Sequence, residues 1–263
     1  MKLSISNIAW DKSLDEAVYE QMSAQGYSGL EIAPTRIFEQ APYDDPVRVR
    51  SWYEDIRSRF VIPSMQSIWY GRTENIFGGE EEREALLQYT NKAVLFAEII
   101  ECNNLVFGCP KNRNMPDGAD RSVAVDFFEK AGAFAHEHNT VIGIEANPVI
   151  YNTNFLNTTE EALDFIEEVS SPGIKLNLDV GTMIQNGEDV TVLTGREDFI
   201  NHVHISEPML KKICPRPIHG DLLQHLHANG YNGFVSIEMG KQDELSDIVE
   251  VMSYLRKVSE SEA

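Results

Sequence analysis

The chain has 263 residues, a length that suits one large domain, and 42% of them are hydrophobic, enough for a sizeable core. Its 42 acidic residues outnumber 22 basic ones, and the net charge of −20 repels phosphate backbones and anionic membranes, so neither is an expected partner. The opening MKLSISNIAWDKS carries no signal-peptide pattern and no apolar stretch approaches the roughly 20 residues of a membrane span, so a cytoplasmic protein is expected. The three cysteines, Cys102, Cys109 and Cys214, form no metal-type pattern and read as small buried hydrophobes in a reducing compartment.

Eight strand-like runs alternate with amphipathic stretches from end to end. LSISNI (3–8) comes first, and Ser13–Glu16 then matches a capping box for a helix that ends near Gly26. GLEIA (29–33) is followed by Asp45-Pro46, a cap candidate before a proline at the first helical position. PSMQSI (63–68) and NLVFG (104–108) bracket a helical pattern over 80–101, and a second such pattern covers 121–138. VIGIEA (141–146) leads to a capping box at Thr158–Glu161, and KLNLDV (175–180) leads to a gap too short for a full helix. NHVHIS (201–206) precedes a helix ending near Gly230, and FVSIEM (234–239) is the eighth run.

Strand midpoints advance by the pitch of a βα unit, so the pattern predicts a single-domain (β/α)₈ TIM barrel over residues 1–263. A doubly wound sheet is disfavoured, because SNIAWD stands where a glycine-rich phosphate loop would follow the first strand. The longest irregular segments, 70–80, 108–120, 147–157 and 206–218, all follow strands and fall on the C-terminal face, where barrels do their chemistry.

Glu145, Asp179, His204 and Glu238 each end or nearly end one of the last four strands. Consecutive strands of a barrel are neighbours on one rim, so the topology gathers three carboxylates and an imidazole. That set suits a hard-to-borderline divalent cation.

At this point the chain resembles the xylose-isomerase-like TIM-barrel family of sugar isomerases and epimerases, which also holds an AP endonuclease branch. The resemblance runs from SNIAW and GYSGLEIAP through VFGCPKNR, IEANP, LNLDVGTM and HVHISEP to GYNGFVSIEM. It implies that Glu145, Asp179, His204 and Glu238 hold one divalent ion, with Mn²⁺ favoured over Mg²⁺, Co²⁺ and Zn²⁺. It implies further that Glu145 and Glu238 are the catalytic acid–base pair. They would move a proton next to a metal-chelated carbonyl through an enediolate. A lyase that dehydrates a keto-acid or keto-inositol on the same barrel is the alternative. The implied partner is a small carbohydrate or derivative, and homo-oligomerisation stays open. Of the two histidines in HVHIS, His204 matches the family ligand, and His202 is assigned to the other strand face in a structural role.

The family's free-ketose 3-epimerases carry a polar substrate clamp at positions filled here by Tyr151, Thr182 and Leu210, which puts epimerisation of a free ketose in doubt. The extra histidines of the endonuclease branch are not evident. Further substrate-binding candidates are Trp10 and Trp69 as sugar-stacking rings, Lys111 and Arg113 as anion anchors, and Asn147, Glu207 and His219. Gln66 and Asn147 are expected to support the ligands, and Arg36 to do the same or pair with a surface carboxylate.

Overall fold

The computed structural model describes residues 1–261. Seven parallel strands are hydrogen-bonded in the order β2-β1-β7-β6-β5-β4-β3. They are β1 (Lys2–Ser6), β2 (Gly29–Glu31), β3 (Leu105–Phe107), β4 (Ile142–Ile144), β5 (Ile174–Asp179), β6 (Ile200–Ile205) and β7 (Phe234–Ile237). The eighth stave is the segment 61–66, which pairs only at isolated positions. Met65 bridges Ile32 on one side and Leu105 on the other, and Met65 N and Val106 N donate in turn to Asn104 O and Met65 O at 2.9 Å each. Those bonds close the sheet into a barrel. Pro63 explains why this stave is broken, since it brings no N–H to the ladder.

Helices follow each stave: α1 (Asp15–Ala24), α2 (Pro34–Ile37), α3 (Pro46–Ile56), α4 (Glu80–Ile99), α5 (Ser122–Glu137), α6 (Thr159–Val169), α7 (Val180–Asn186), α8 (Pro217–Ala228) and α9 (Leu245–Ser261). The expected caps at Asp45 and Thr158 accept from Arg48 N and Glu161 N at 3.0 and 3.1 Å. The capping box at Ser13 is corrected. Asp11 caps this turn instead, accepting from Ser13 N at 3.1 Å, and α1 starts only at Asp15. Gly26 and Gly230 take the expected left-handed conformation after α1 and α8, each at φ +76°. The helix after β5 is the short one expected, seven residues ended by left-handed Gly187.

The apolar core lies between barrel and helices. Phe107 of β3 packs edge-on against Phe128 of α5 at 4.8 Å, and Phe128 against Phe165 of α6 at 5.5 Å. The inside of the barrel is polar. Asn104 Nδ2, at the start of β3, reaches Asn177 Oδ1 of β5 at 3.2 Å, although these strands are not neighbours. Cys102 and Cys109 are buried as expected, but Cys214 is exposed, because the loop carrying it runs along the surface.

Candidate active site

The C-terminal ends of β4 to β7 carry the four residues singled out above. Glu145 follows β4 directly, Asp179 closes β5, His204 lies in β6 and Glu238 follows β7. His204 Nδ1 is 3.2 Å from Glu145 Oε2 and 3.2 Å from Glu238 Oε2, and the ligand atoms of these three residues lie within 4.8 Å of one another. Asp179 lines the same cavity beside the trio. It caps α7, accepting from Thr182 N and Thr182 Oγ1 at 2.8 Å each, while Ser206 Oγ donates to its other oxygen. Glu145 is held by Asn177 Nδ2 at 2.8 Å and Asn147 Nδ2 at 3.1 Å. Gly108 makes room for it, since a Cβ there would overlap Glu145 Oε1.

The cavity measures about 170 Å³, and no lysine or arginine is among its lining residues. Its electrostatics follow from burial. Desolvation, then repulsion from Glu145, raises the Asp179 carboxyl above its ordinary value. Desolvation pushes Glu238 up to about 7 against the counter-pull of His204. Burial works to lower His204, but the Glu238 and Glu31 carboxylates outweigh it and raise the imidazole well above its ordinary value. Carboxylates converging on an imidazole, with no lysine or arginine in the wall, make a donor set that fits a divalent cation. Asn147 Oδ1, buried and without a partner, adds a further oxygen beside it.

Glu31 is the residue the sequence reading missed. Fully buried at the end of β2, it places Oε2 2.7 Å from His204 Nε2 and 2.9 Å from His202 Nε2. Its own burial works against ionisation, but His204 overrides this and holds the carboxyl far below its ordinary value. The signal was present, because GLEIA is another apolar strand closed by a carboxylate. His202 is also corrected. Residues two apart on a strand share a face, so it points inward with His204, their rings 5.3 Å apart. Gln66 supports Glu31 rather than a cavity carboxylate, donating to Glu31 Oε1 at 3.2 Å and to Ser6 Oγ at 2.8 Å. His204 thus has one nitrogen turned to Glu145 and Glu238 and the other to Glu31, and a carboxylate on the far nitrogen is an arrangement that fixes the ring and its tautomer in metal sites.

Among the substrate-binding candidates, Asn147 and Glu207 line the cavity. Glu207 is clasped by Arg216, Nε to Oε1 at 2.6 Å and Nη2 to Oε2 at 2.7 Å. The other candidates lie outside it. Trp69 is core, its indole N–H on Thr90 Oγ1 at 2.8 Å and its ring against Phe107. Trp10 is buried with its N–H on Asp15 Oδ1. Arg113 is fully buried, donating to Glu145 O at 2.8 Å and stacked over Phe107, so it braces the strand end and offers no free charge to an anion. Lys111 is exposed on the outer side of its turn. His219 is buried against Tyr254 OH at 2.8 Å, and desolvation lowers it to about 4. Arg36 takes its surface option, pairing with Asp15 at 2.6 Å.

The positions that depart from the free-ketose clamp have other work. Thr182 Oγ1 lies 2.8 Å from both Asp179 Oδ2 and Ala146 O, Tyr151 OH accepts from Met209 N at 2.8 Å, and Leu210 lines the cavity wall. Met209 and Leu210 both adopt positive φ, 62° and 51°, so the loop after β6 is strained where it meets the site.

A 89-residue stretch, 34% of this chain, is 33% identical to a D-psicose 3-epimerase of Enterocloster bolteae, of which it covers 29%. A 3-keto-D-glucoside 4-epimerase from E. coli superposes with a TM-score of 0.79 at 18% identity, over 98% of this chain and 99% of that one. A D-psicose 3-epimerase from Clostridium cellulolyticum H10, solved with D-tagatose, superposes with a TM-score of 0.76 at 15% identity, over 100% and 96%. At such identities the superpositions speak for the fold. The model of the xylose isomerase-like TIM barrel matches residues 19–258, and the chain belongs to that family.

Proposed function

We propose that this protein is a divalent-metal-dependent isomerase or epimerase of a sugar or sugar derivative. The observation that carries the reading is the convergence of Glu145, His204 and Glu238, the two glutamates lining a cavity with no lysine or arginine in its wall. The epimerase names carried by the relatives support the substrate class. Glu145, Asp179, His204 and Glu238 would hold the cation, with Mn²⁺ favoured. When bound, it supplies Lewis-acid polarisation of the substrate carbonyl and the neighbouring hydroxyl.

The chain's own groups do the rest. Glu145, positioned by Asn177 and Asn147, takes a proton from the carbon next to the carbonyl. Glu238, whose Oε2 lies 3.2 Å from His204 Nδ1, returns one. Return to the opposite face of the same carbon epimerises it, and return to the neighbouring carbon isomerises the sugar. Tyr151, Thr182 and Leu210 stand where the free-ketose 3-epimerases carry their polar clamp, so fructose, tagatose and psicose are poor substrates in this reading.

The test is solvent deuterium incorporation next to the carbonyl across a panel of keto-sugars, with protein treated with EDTA and then given Mn²⁺ or Co²⁺. Exchange lost on chelation and restored by metal is the expected result. Full activity in metal-free protein refutes the mechanism.

A further inference from the structure

The metal cavity occupies only half of the barrel mouth. Its walls come from the strand ends between the 61–66 segment and β7, and its 170 Å³ is small beside the roughly 300–1,000 Å³ of ordinary ligand sites. The other half of the rim, above β1 and β2, carries a larger groove of about 510 Å³. Ser67, at the end of the 61–66 stave, lines both spaces, so the groove borders the cavity.

The groove has the chemistry of a carbohydrate platform. Tyr70 stands over it 71% exposed, among the few large hydrophobic side chains left in solvent, and Ile8 and the buried ring of Trp10 add apolar wall. Its charges are mixed and partly matched. Lys241 Nζ lies 3.8 Å from Asp11 Oδ2, Arg36 is paired to Asp15, and Glu39 and Lys12 complete the border. A phosphate or carboxylate handle would find no uncommitted cationic cluster there. A neutral ring with one apolar face and a rim of hydroxyls finds an exposed aromatic face with donors and acceptors around it.

We infer that this groove is a second sugar subsite, and that the substrate is a neutral glycoside whose keto-sugar sits at the metal while the attached unit lies on Tyr70. The inference rests on the proposed epimerase reading and names the substrate class for it.

The experiment uses Mn²⁺-loaded protein and matched pairs: 3-keto-glucose against 3-keto-trehalose, and D-fructose against its 6-O-glucosyl derivative. For at least one pair, kcat/KM should rise by about tenfold or more when the glucosyl unit is present. Tyr70→Ala should remove that gain through KM, while leaving the free sugar within about twofold. Tyr70 is exposed, so the variant should melt as the wild type does. Equal or faster turnover of the free sugars, or a loss in Tyr70→Ala that falls equally on both members of a pair, overturns the subsite alone. Absence of proton exchange with every member in metal-loaded protein overturns the epimerase reading, and the subsite falls with it.

Discussion

Replacing Glu31 by Gln tests whether the site is set from the middle of the barrel. The change keeps the shape and removes one charge. In the wild type, Glu31 Oε2 faces His204 Nε2 at 2.7 Å and Oε1 accepts from Gln66 at 3.2 Å. A glutamine can turn its carbonyl to only one of them. With the carbonyl on His204, its NH₂ meets the NH₂ of Gln66, and with the amide flipped it meets His204 donor to donor. Either way a fully buried charge-assisted bond is lost and a buried polar group is left unmatched.

Breaking a buried ion pair from one side costs about 3–5 kcal/mol. For a chain of this size each kcal/mol moves Tm by about 2–4 °C, so the metal-free variant should melt about 10 °C lower. The second readout separates positioning from plain structure. His204 would lose the carboxylate that orients its ring, so Mn²⁺ affinity should fall by about 10–100-fold in a direct titration. A lower Tm with unchanged Mn²⁺ affinity would make Glu31 a structural residue only. A Tm and an affinity both near wild type would refute the reasoning altogether.

Glu145→Gln and Glu238→Gln should each slow turnover by at least about 10²-fold, with metal content measured alongside; either variant that keeps metal and near-normal rate removes that residue from proton transfer. Gly108→Ala puts a methyl where Glu145 Oε1 lies, and a displaced base should lower kcat by about 10²-fold, so wild-type kinetics would show that the Glu145 position tolerates movement. The Glu238 carboxyl, at 4.5 when unfolded and pushed up to about 7 when folded, binds its proton more tightly in the native state. Its contribution is therefore complete below pH 4.5 and lost as pH rises through about 7, worth about 3 kcal/mol. Urea melts of metal-free protein should show Glu238→Gln matching wild type near pH 4.5 and exceeding it by that amount above pH 7, whereas parallel curves would contradict the assignment.

Much of the barrel was legible because its units repeat. Apolar runs, caps at Asp45 and Thr158 and glycines at 26 and 230 are local signals, and the structure bears them out. The PSMQSI run was found as 63–68 but overstated, since the segment runs over 61–66 and its proline leaves isolated bridges rather than a ladder. The juxtaposition of Glu145, His204 and Glu238 was legible for a topological reason, because strand order alone makes their ends neighbours. Glu31 escaped because its strand lies across the barrel, and only closure brings β2 against β6. The direction of loop side chains was not legible either. Arg113 and Lys111 are two residues apart in one turn, yet one is fully buried beneath Glu145 and the other faces solvent. Sequence gives their charge; the packing of the turn on Phe107 decides their fate.

Barrels of this architecture usually fill their interior with branched aliphatic side chains. Here buried Ser4, Ser6, Ser64, Asn104, Asn177, His202 and Ser236 share it with Glu31. The apolar contribution to stability comes instead from the outer layer, where Phe107, Phe128 and Phe165 pack between strands and helices. That division leaves the inside free to act as a scaffold of hydrogen bonds. Asn104 braces Asn177, Asn177 holds Glu145, and Gln66 and His204 are tied through Glu31. Glu145 and Glu238 are thereby oriented by the strand residues Asn177 and His204, which move less than loops. The loops above carry the strained turn at Met209 and Leu210 and the exposed ring of Tyr70, which in the proposed reading face the incoming substrate. Changes of substrate within this barrel should therefore map to the rim, and losses of metal and proton transfer to the polar layer beneath it.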